Sequence, residues 1–197
     1  MNNKWDRMER ELERLKSDNL FRRMTVFESP QTSQVKVGGQ QQHLFSSNSY
    51  LDLCCEPKVK EHVRRVLEEY GSGSGGSRLT TGTTSIHAEL EDTIAEFKRR
   101  EAALVFNTGY MANVGILPAL AGKGDIIYSD ELNHASIIDG CRLSKAELVI
   151  YRHNDMADLE KKIKAHPGQK GVIVSDGVFS MDGDIVDLPG LVEVADR

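Results

Sequence analysis

Three segments of this chain place polar or titratable side chains directly after short apolar runs. The segments are residues 107–113, 129–140 and 175–184. Free N–H groups at a helix start bind anions, and an imidazole such as that of His134 can stack on a flat ring. Because ligands of open α/β sheets bind beyond the carboxyl ends of the strands, the three segments indicate one ligand site.

Gly109 and Tyr110 follow an apolar run that ends at Phe106, and they open a predicted helix. Their N–H groups, together with that of Met111, are expected to cradle a phosphate, and glycine at position 109 permits close approach of the ligand. An ordinary strand-to-helix turn explains the same residues when this motif is considered alone.

His134 and Asp176 each come after a predicted strand, so both are candidates for the same layer of the site. A packed or solvent-exposed histidine is the ordinary alternative for His134, and a turn rich in aspartate and glycine is the alternative for Asp176 and Ser180. Asp182 and Asp184 lack further ligands at the spacing of a calcium loop, so no metal site is predicted.

Short apolar runs alternate with amphipathic segments from Ser85 onward, which predicts an α/β domain with a parallel sheet. The predicted strands span residues 102–106, 125–129, 147–151 and 171–176. The predicted helices span residues 57–70, 85–100, 110–121, 134–145, 156–165 and 188–197. The sheet is expected to be incomplete, since no strand follows the last helix.

The first 44 residues are predicted to form a helical arm, and residues 45–197 the first part of the main domain. Residues 4–23 show an apolar spacing near three to four, which predicts an amphipathic helix. A connection over 29–42 contains a possible edge strand at Val35 and Val37, and a short strand is expected within 43–53.

The glycine- and serine-rich segment at residues 71–77 has the composition of a flexible linker. Its position between two predicted helices also fits an ordered curve of backbone against a ligand or a partner subunit. Composition does not decide between these two interpretations.

The composition excludes several functional classes. There are 25 basic and 30 acidic residues for a net charge of −5, mixed along the chain, so a nucleic-acid surface is not expected. No apolar run approaches the length of a membrane span, and a charged N-terminus argues against a secretory signal. The three cysteines fit neither a disulfide framework nor a zinc site, so a cytoplasmic protein with structural thiols is predicted.

In their residues and in their order along the chain, the three segments resemble those of the α-oxoamine synthases, which are fold-type I pyridoxal-phosphate (PLP) enzymes. Residues 46–51, 73–82 and 151–156 extend the similarity from about Phe45 to Arg197. The resemblance implies a three-layer, aminotransferase-like large domain with helices on both faces of a parallel sheet. It also implies a transferase that joins an amino acid to an acyl-CoA thioester and acts as a homodimer.

The resemblance assigns roles to individual residues. His134 is the implied catalytic residue, which stacks on the cofactor ring. The implied cofactor contacts are Gly109, Tyr110, His134, Asp176 and Ser180, and the implied substrate contacts are Arg22, Arg23 and Asn48. Asp52 replaces a glycine of the family's opening motif, and a positive φ there would suit aspartate less well than glycine.

Within the family, residues 77–82 and 151–153 most resemble the enzymes that condense L-alanine with a pimeloyl thioester in biotin biosynthesis. The glycine C-acetyltransferases share the block at 133–140 and are the alternative. The family's Schiff-base lysine lies beyond Arg197, and Lys145 is not its counterpart. We therefore expect an amino-terminal portion that is inactive alone, or else a non-catalytic remnant that serves as a binding or dimerisation module.

Overall fold

The structure is a computed structural model that describes residues 4–197. The chain divides between Ser77 and Arg78 into two compact units, and each is described by itself. This boundary between compact units differs from the domain boundary predicted between residues 44 and 45. The predicted domain boundary remains a prediction. Within residues 4–197 no helix has the length and apolar content needed to cross a lipid bilayer.

The first unit contains two helices, a hairpin and a short 3₁₀ helix. In chain order they are α1 (Asp6–Ser17), β1 (Gln34–Val37), β2 (Gln40–His43), the 3₁₀ helix (Leu53–Cys55) and α2 (Pro57–Tyr70). The predicted arm helix is confirmed, but it ends earlier than residue 23 because Asn19 adopts the left-handed conformation. No side chain of α1 is buried within the described residues, and Trp5, Met8 and Leu12 remain exposed.

The edge strand expected at Val35 and Val37 is confirmed as β1, and its partner β2 was not predicted. The two strands are antiparallel, with Gln34 opposite His43. Gly38 and Gly39 both have positive φ, as the tight hairpin turns that match strand twist require. All four residues of β2 are exposed and polar, so the sequence lacks the alternation of apolar and polar residues that predicts a strand. The strand expected within 43–53 is wrong beyond His43, the last residue of β2, because residues 44–52 form irregular backbone and turns and the 3₁₀ helix begins at Leu53.

Asp52 immediately precedes the 3₁₀ helix and has φ 52° and ψ 29°, in the left-handed region. A side chain there costs about 1 kcal/mol relative to glycine, part of which the greater unfolded-state freedom of glycine offsets. We expect Asp52→Gly to raise the free energy of unfolding by about 0.5 kcal/mol, measured by urea unfolding followed by circular dichroism. The β-branched Asp52→Val should lower the free energy of unfolding. Equal stability of the wild type and both variants would contradict backbone strain at residue 52.

The second unit carries the parallel sheet. Its elements are α3 (Ser85–Lys98), α4 (Gly109–Leu120), β3 (Ile126–Asp130), α5 (Ala135–Ser144), β4 (Glu147–Tyr151), α6 (Met156–Lys164), β5 (Gly171–Val174) and α7 (Leu188–Asp196). The strand order is β4-β3-β5, and both neighbouring pairs are parallel. The predicted α/β class is confirmed, and β4 has the predicted bounds.

Alternate side chains of β3 pack against helices on opposite faces of the sheet, since successive strand residues point to opposite sides. Ile126 and Tyr128 pack with α6 and α7, through Leu159, Leu191 and Val194. Ile127 packs with α4 and α5, through Leu117, Ala121, Ile137 and Cys141. All five residues of β3 are buried, so the predicted three-layer arrangement is confirmed with β3 at its centre.

The strand predicted over 102–106 is wrong for the described residues, because no strand pairs with it. Its polar backbone is bound by side chains instead. Val105 donates its N–H to Glu91 Oε1 at 2.9 Å, and the Val105 carbonyl accepts from Arg78 Nη1 at 3.3 Å. Arg78 also pairs with Glu91 at 2.8 Å, and these two contacts to Glu91 hold the pKa of its carboxyl below the usual value.

Candidate active site

The loops that follow β3, β4 and β5 leave the same edge of the sheet, because the three strands are parallel. Asn133, which is buried, joins two of these loops. Its Nδ2 donates to Ser129 Oγ and to the Val174 carbonyl, both at 2.9 Å, and its Oδ1 accepts from the Asp176 N–H at 2.7 Å. Asn133 therefore fixes the position of Asp176 relative to the end of β3.

His134 caps the N-terminus of α5 and is exposed. Its Nδ1 accepts from the Ser136 N–H at 3.1 Å and lies 2.7 Å from Ser136 Oγ. Since Asn113 Nδ2 donates to the same Oγ at 2.8 Å, the hydroxyl proton is directed to Nδ1. Nδ1 is thus an acceptor, and a neutral ring carries its proton on Nε2.

Asp176 and His134, both predicted for the site, are in direct contact. Asp176 Oδ2 accepts the backbone N–H of His134 at 2.7 Å. Ser180 lies four residues further along the same loop with an exposed side chain, and no hydrogen bond to it is present in the described part of the chain. The structure therefore brings His134 and Asp176 together, while no hydrogen bond joins Ser180 to either of them among the described residues.

The start of α4 offers two of the three N–H groups predicted for a phosphate. Thr108 caps the helix by accepting the Met111 N–H at 3.1 Å, so that donor is already used. Among residues 4–197 no acceptor is found for the N–H groups of Gly109 and Tyr110. A Cβ at Gly109 would meet nothing within 4 Å, so the space beside these donors is open.

Two contacts place the first two turns of α4 and α5 side by side. One is the bond from Asn113 to Ser136, and the other is the Tyr110 hydroxyl, which donates to Asp139 Oδ2 at 3.0 Å. The same hydrogen bond raises the pKa of Tyr110 above its ordinary value, so the hydroxyl stays protonated. The predicted phosphate-binding turn and His134 therefore belong to one assembly of helix starts.

A second charged cluster at this edge was missed by sequence reasoning. The His153 ring lies between Asp130 and Asp184, with Nδ1 2.9 Å from Asp130 Oδ1 and Nε2 2.7 Å from Asp184 Oδ2. Its ring also meets the edge of Phe179, with centroids 4.4 Å apart. The sequence offers one signal for this cluster, a histidine two residues after the predicted strand 147–151.

Lys145 lies at the opposite end of α5 from His134, where it forms the C-terminal cap. Ten helical residues separate the two, which corresponds to about 15 Å along the axis. This distance supports the prediction that Lys145 is not a Schiff-base lysine for a cofactor that stacks on His134. Among residues 4–197, no cluster of three or more His, Cys, Asp or Glu could hold a metal ion.

The predicted substrate contacts, Arg22, Arg23 and Asn48, are exposed residues of the first unit, and their roles stay predictions. The Arg23 guanidinium lies 6.0 Å from the centre of the Phe21 ring. Ser47 and Ser49, the neighbours of Asn48, line a pocket of about 250 Å³ within that unit.

Residues 40–197 match the family model described as aminotransferase class I and II. The chain belongs to the aminotransferase class I and II family. Its members include the α-oxoamine synthases, and the predicted resemblance to them is confirmed by the individual relatives.

Two curated relatives are 8-amino-7-oxononanoate synthases. The protein from Lysinibacillus sphaericus is 50% identical over 191 residues, which cover 96% of this chain and 49% of that protein. The protein from Geobacter sulfurreducens is 51% identical over 183 residues, covering 92% of this chain and 47% of that protein. The chain thus spans about half the length of these relatives.

Solved structures of this family share the fold. A serine palmitoyltransferase from S. paucimobilis, with PLP and myriocin bound, has a TM-score of 0.88 and 36% identity over 98% of this chain and 49% of its own. The 8-amino-7-oxononanoate synthase from Francisella tularensis has a TM-score of 0.65 and 33% identity over 76% of this chain and 41% of its own. The aminotransferase-like fold predicted from the sequence is therefore confirmed.

Proposed function

We propose that this chain forms the amino-terminal part of a PLP-dependent acyltransferase that condenses L-alanine with a pimeloyl thioester to give 8-amino-7-oxononanoate, a step of biotin biosynthesis. The observation that carries the proposal is the 50% identity to such a synthase over 96% of this chain. That span includes every predicted site residue from Arg22 to Ser180.

The residues of the second unit fit PLP. The free N–H groups of Gly109 and Tyr110, with open space beside them, suit its phosphate. The exposed ring of His134 suits stacking on the pyridine, and Asp176 and Ser180 supply polar contacts. When bound, PLP supplies an electron sink for the carbanion formed at the α-carbon of the amino acid.

The chain's own part in this chemistry is to hold the cofactor ring and the surrounding charges in place. Ser136 fixes the His134 ring through Nδ1, which leaves the ring face and the Nε2 proton directed outward. Asn133 and the N–H of His134 together fix the backbone and carboxylate of Asp176. Hydrogen bonds that fix these groups before the ligand arrives reduce the rearrangement that binding requires.

The substrates and assembly belong to the same proposal. Arg22, Arg23 and Asn48 are proposed contacts for the amino acid and the acyl-CoA type substrate. We propose a cytoplasmic homodimer, and the exposed apolar side chains Met8 and Leu12 of α1 support a subunit contact.

The proposal is tested by reading the coding sequence beyond Arg197 and assaying the product of the full reading frame. We expect release of CoA from pimeloyl-CoA with L-alanine and PLP, at a rate well above that with acetyl-CoA and glycine. The reverse preference would identify a glycine C-acetyltransferase. No turnover with either pair would favour a binding or dimerisation module.

Lys145 gives a separate prediction for the 197-residue chain. After incubation with PLP and reduction with borohydride, the intact mass should show no single stoichiometric adduct at Lys145, because this lysine lies about 15 Å from His134 along α5. Lys145→Arg serves as the control for unspecific labelling of exposed lysines. A stoichiometric adduct that disappears in the variant would overturn the prediction.

A further inference from the structure

The His153 ring lies between two carboxylates, and this arrangement fixes a proton count. A carboxylate only accepts hydrogen bonds, so both ring nitrogens must donate if the contacts to Asp130 and Asp184 are both to hold. A neutral imidazole has one N–H. The cluster therefore needs one proton more than a neutral histidine and two carboxylates provide.

Asp130 acts as an acceptor through both of its carboxylate oxygens. It is fully buried, and it also accepts the N–H of Leu132 at 2.9 Å and the N–H of Asn154 at 2.8 Å. Asp184 Oδ2 lies 2.7 Å from Nε2 of the ring, and its Oδ1 is buried with no partner among the described residues. A ring that donates through both nitrogens satisfies both carboxylates, so the geometry assigns the extra proton to the His153 ring.

The same ring fastens a loop that carries proposed cofactor contacts. Residues 177–186 fold back on themselves, since Phe179 donates its N–H to the Asp184 carbonyl at 3.0 Å and Gly183 donates to the Phe179 carbonyl at 2.7 Å. Asp184 and Phe179 both contact His153, which is bound to β3 through Asp130. His153 thus links this loop to the centre of the sheet, beside a second link through Asn154, whose Nδ2 donates to the Ile185 carbonyl at 3.3 Å.

We propose that His153 is a positioning residue whose second ring proton fastens the 177–186 loop to β3, so that the loop loosens when this proton is lost. Loosening of the loop is expected to weaken PLP binding, because Ser180 lies in this loop and Asp176 directly precedes it. This consequence rests on the function proposed above. The loop's own dependence on the proton needs no ligand.

The surrounding charges set the direction of the pH dependence. The facing carboxylates belong to Asp130 on β3, Glu131 in the turn after it, and Asp184 in the loop. The guanidinium of Arg152 is engaged by Asp155 and Asp158 instead. The hydrogen bond to Asp130, followed by that to Asp184, raises the pKa of His153. The fastened loop is therefore complete below the ordinary histidine pKa and is lost as pH rises through the raised value.

The first experiment is NMR on the 197-residue chain without ligand. At about pH 6.5, where an ordinary histidine ring is half neutral, we expect the His153 ring to be mostly protonated, with ¹⁵N shifts of protonated nitrogen at both ring nitrogens. We also expect the hydrogen-exchange protection factors of the Phe179 and Gly183 amides to fall about tenfold as pH rises through the His153 titration. The amide of Tyr128 in β3 serves as the internal reference.

The decisive variant is Asp184→Asn, whose amide can donate to an unprotonated Nε2 while Nδ1–H still donates to Asp130. We expect its loop protection to become independent of pH across the His153 titration. Asp182→Asn, which removes the same charge from an exposed position of this turn, should keep the wild-type profile.

Two results would overturn the proposal. One is a His153 ring that is half neutral or more at about pH 6.5, as an ordinary histidine is, in the wild-type protein; this measurement requires no variant to fold. The other is an unchanged pH profile of loop protection in Asp184→Asn. Absence of PLP binding or condensation, with the predicted loop behaviour intact, would contradict only the proposed function.

Discussion

Asp130→Ala is expected to lower the free energy of unfolding of the second unit by about 3–5 kcal/mol, the usual cost of removing one partner from a buried charge pair. The Asp130 carboxylate is fully buried and accepts from Leu132, Asn154 and His153. Alanine leaves all three donors without their acceptor. Domains of this size are stable by about 5–15 kcal/mol, so the loss is measurable by urea unfolding followed by circular dichroism.

The control for this prediction separates charge from hydrogen bonding. Asp130→Asn keeps one acceptor oxygen of the same shape, so its destabilisation should be smaller than that of alanine and should grow below the His153 titration, where the ring carries a charge. Asp182→Ala, at an exposed position, should be within about 0.5 kcal/mol of wild type. Equal stability of Asp130→Ala and wild type would show that the buried carboxylate does not organise this edge.

Gly140→Ala is expected to destabilise the second unit by about 1–3 kcal/mol through overpacking. A Cβ at this position of α5 would lie 2.7 Å from the Asn113 carbonyl oxygen and 2.8 Å from Leu117 Cδ1, both on α4. The helix propensity of alanine favours the substitution by about 1 kcal/mol, so a net loss shows that the contact dominates. Thermal unfolding measures the stability, and the NMR shift of the Asn113 side-chain amide reports its bond to Ser136.

Gly109→Ala is the matched control on α4, because a Cβ there would meet nothing within 4 Å. It should leave the unfolding temperature near that of wild type. Unchanged or increased stability of Gly140→Ala would contradict the close approach of α4 and α5, and with it the shared placement of their first two turns.

Local sequence patterns predict many elements of this fold without reference to residues distant in the chain. The apolar run of β4 and the helical spacing of α2 gave boundaries that match the structure, because strand alternation and helix periodicity are set by neighbouring residues. Parallel strands also bring their carboxyl ends to one edge, so the neighbourhood of His134 and Asp176 could be predicted from strand order alone.

Other features depended on partners far along the chain. The run 102–106 has the composition of a strand, but its backbone is bound by Arg78 and Glu91. The polar strand β2 exists because β1 lies beside it across a glycine turn. The Met111 N–H, predicted to bind a ligand, donates to Thr108 Oγ1 instead. This could not be predicted, because capping depends on a side-chain rotamer that composition does not specify.

The sequence by itself determined the α/β class, most of the helices and strands of the second unit, and the family to which the chain belongs. Only the tertiary structure decided which polar groups remain free for a ligand and which are used within the protein. The His153 cluster shows the reason, because its proton count follows from two aspartates that lie 23 and 31 positions away in the chain. Hydrogen bonds and charges act over a few ångströms, so only folding could establish that these three side chains meet.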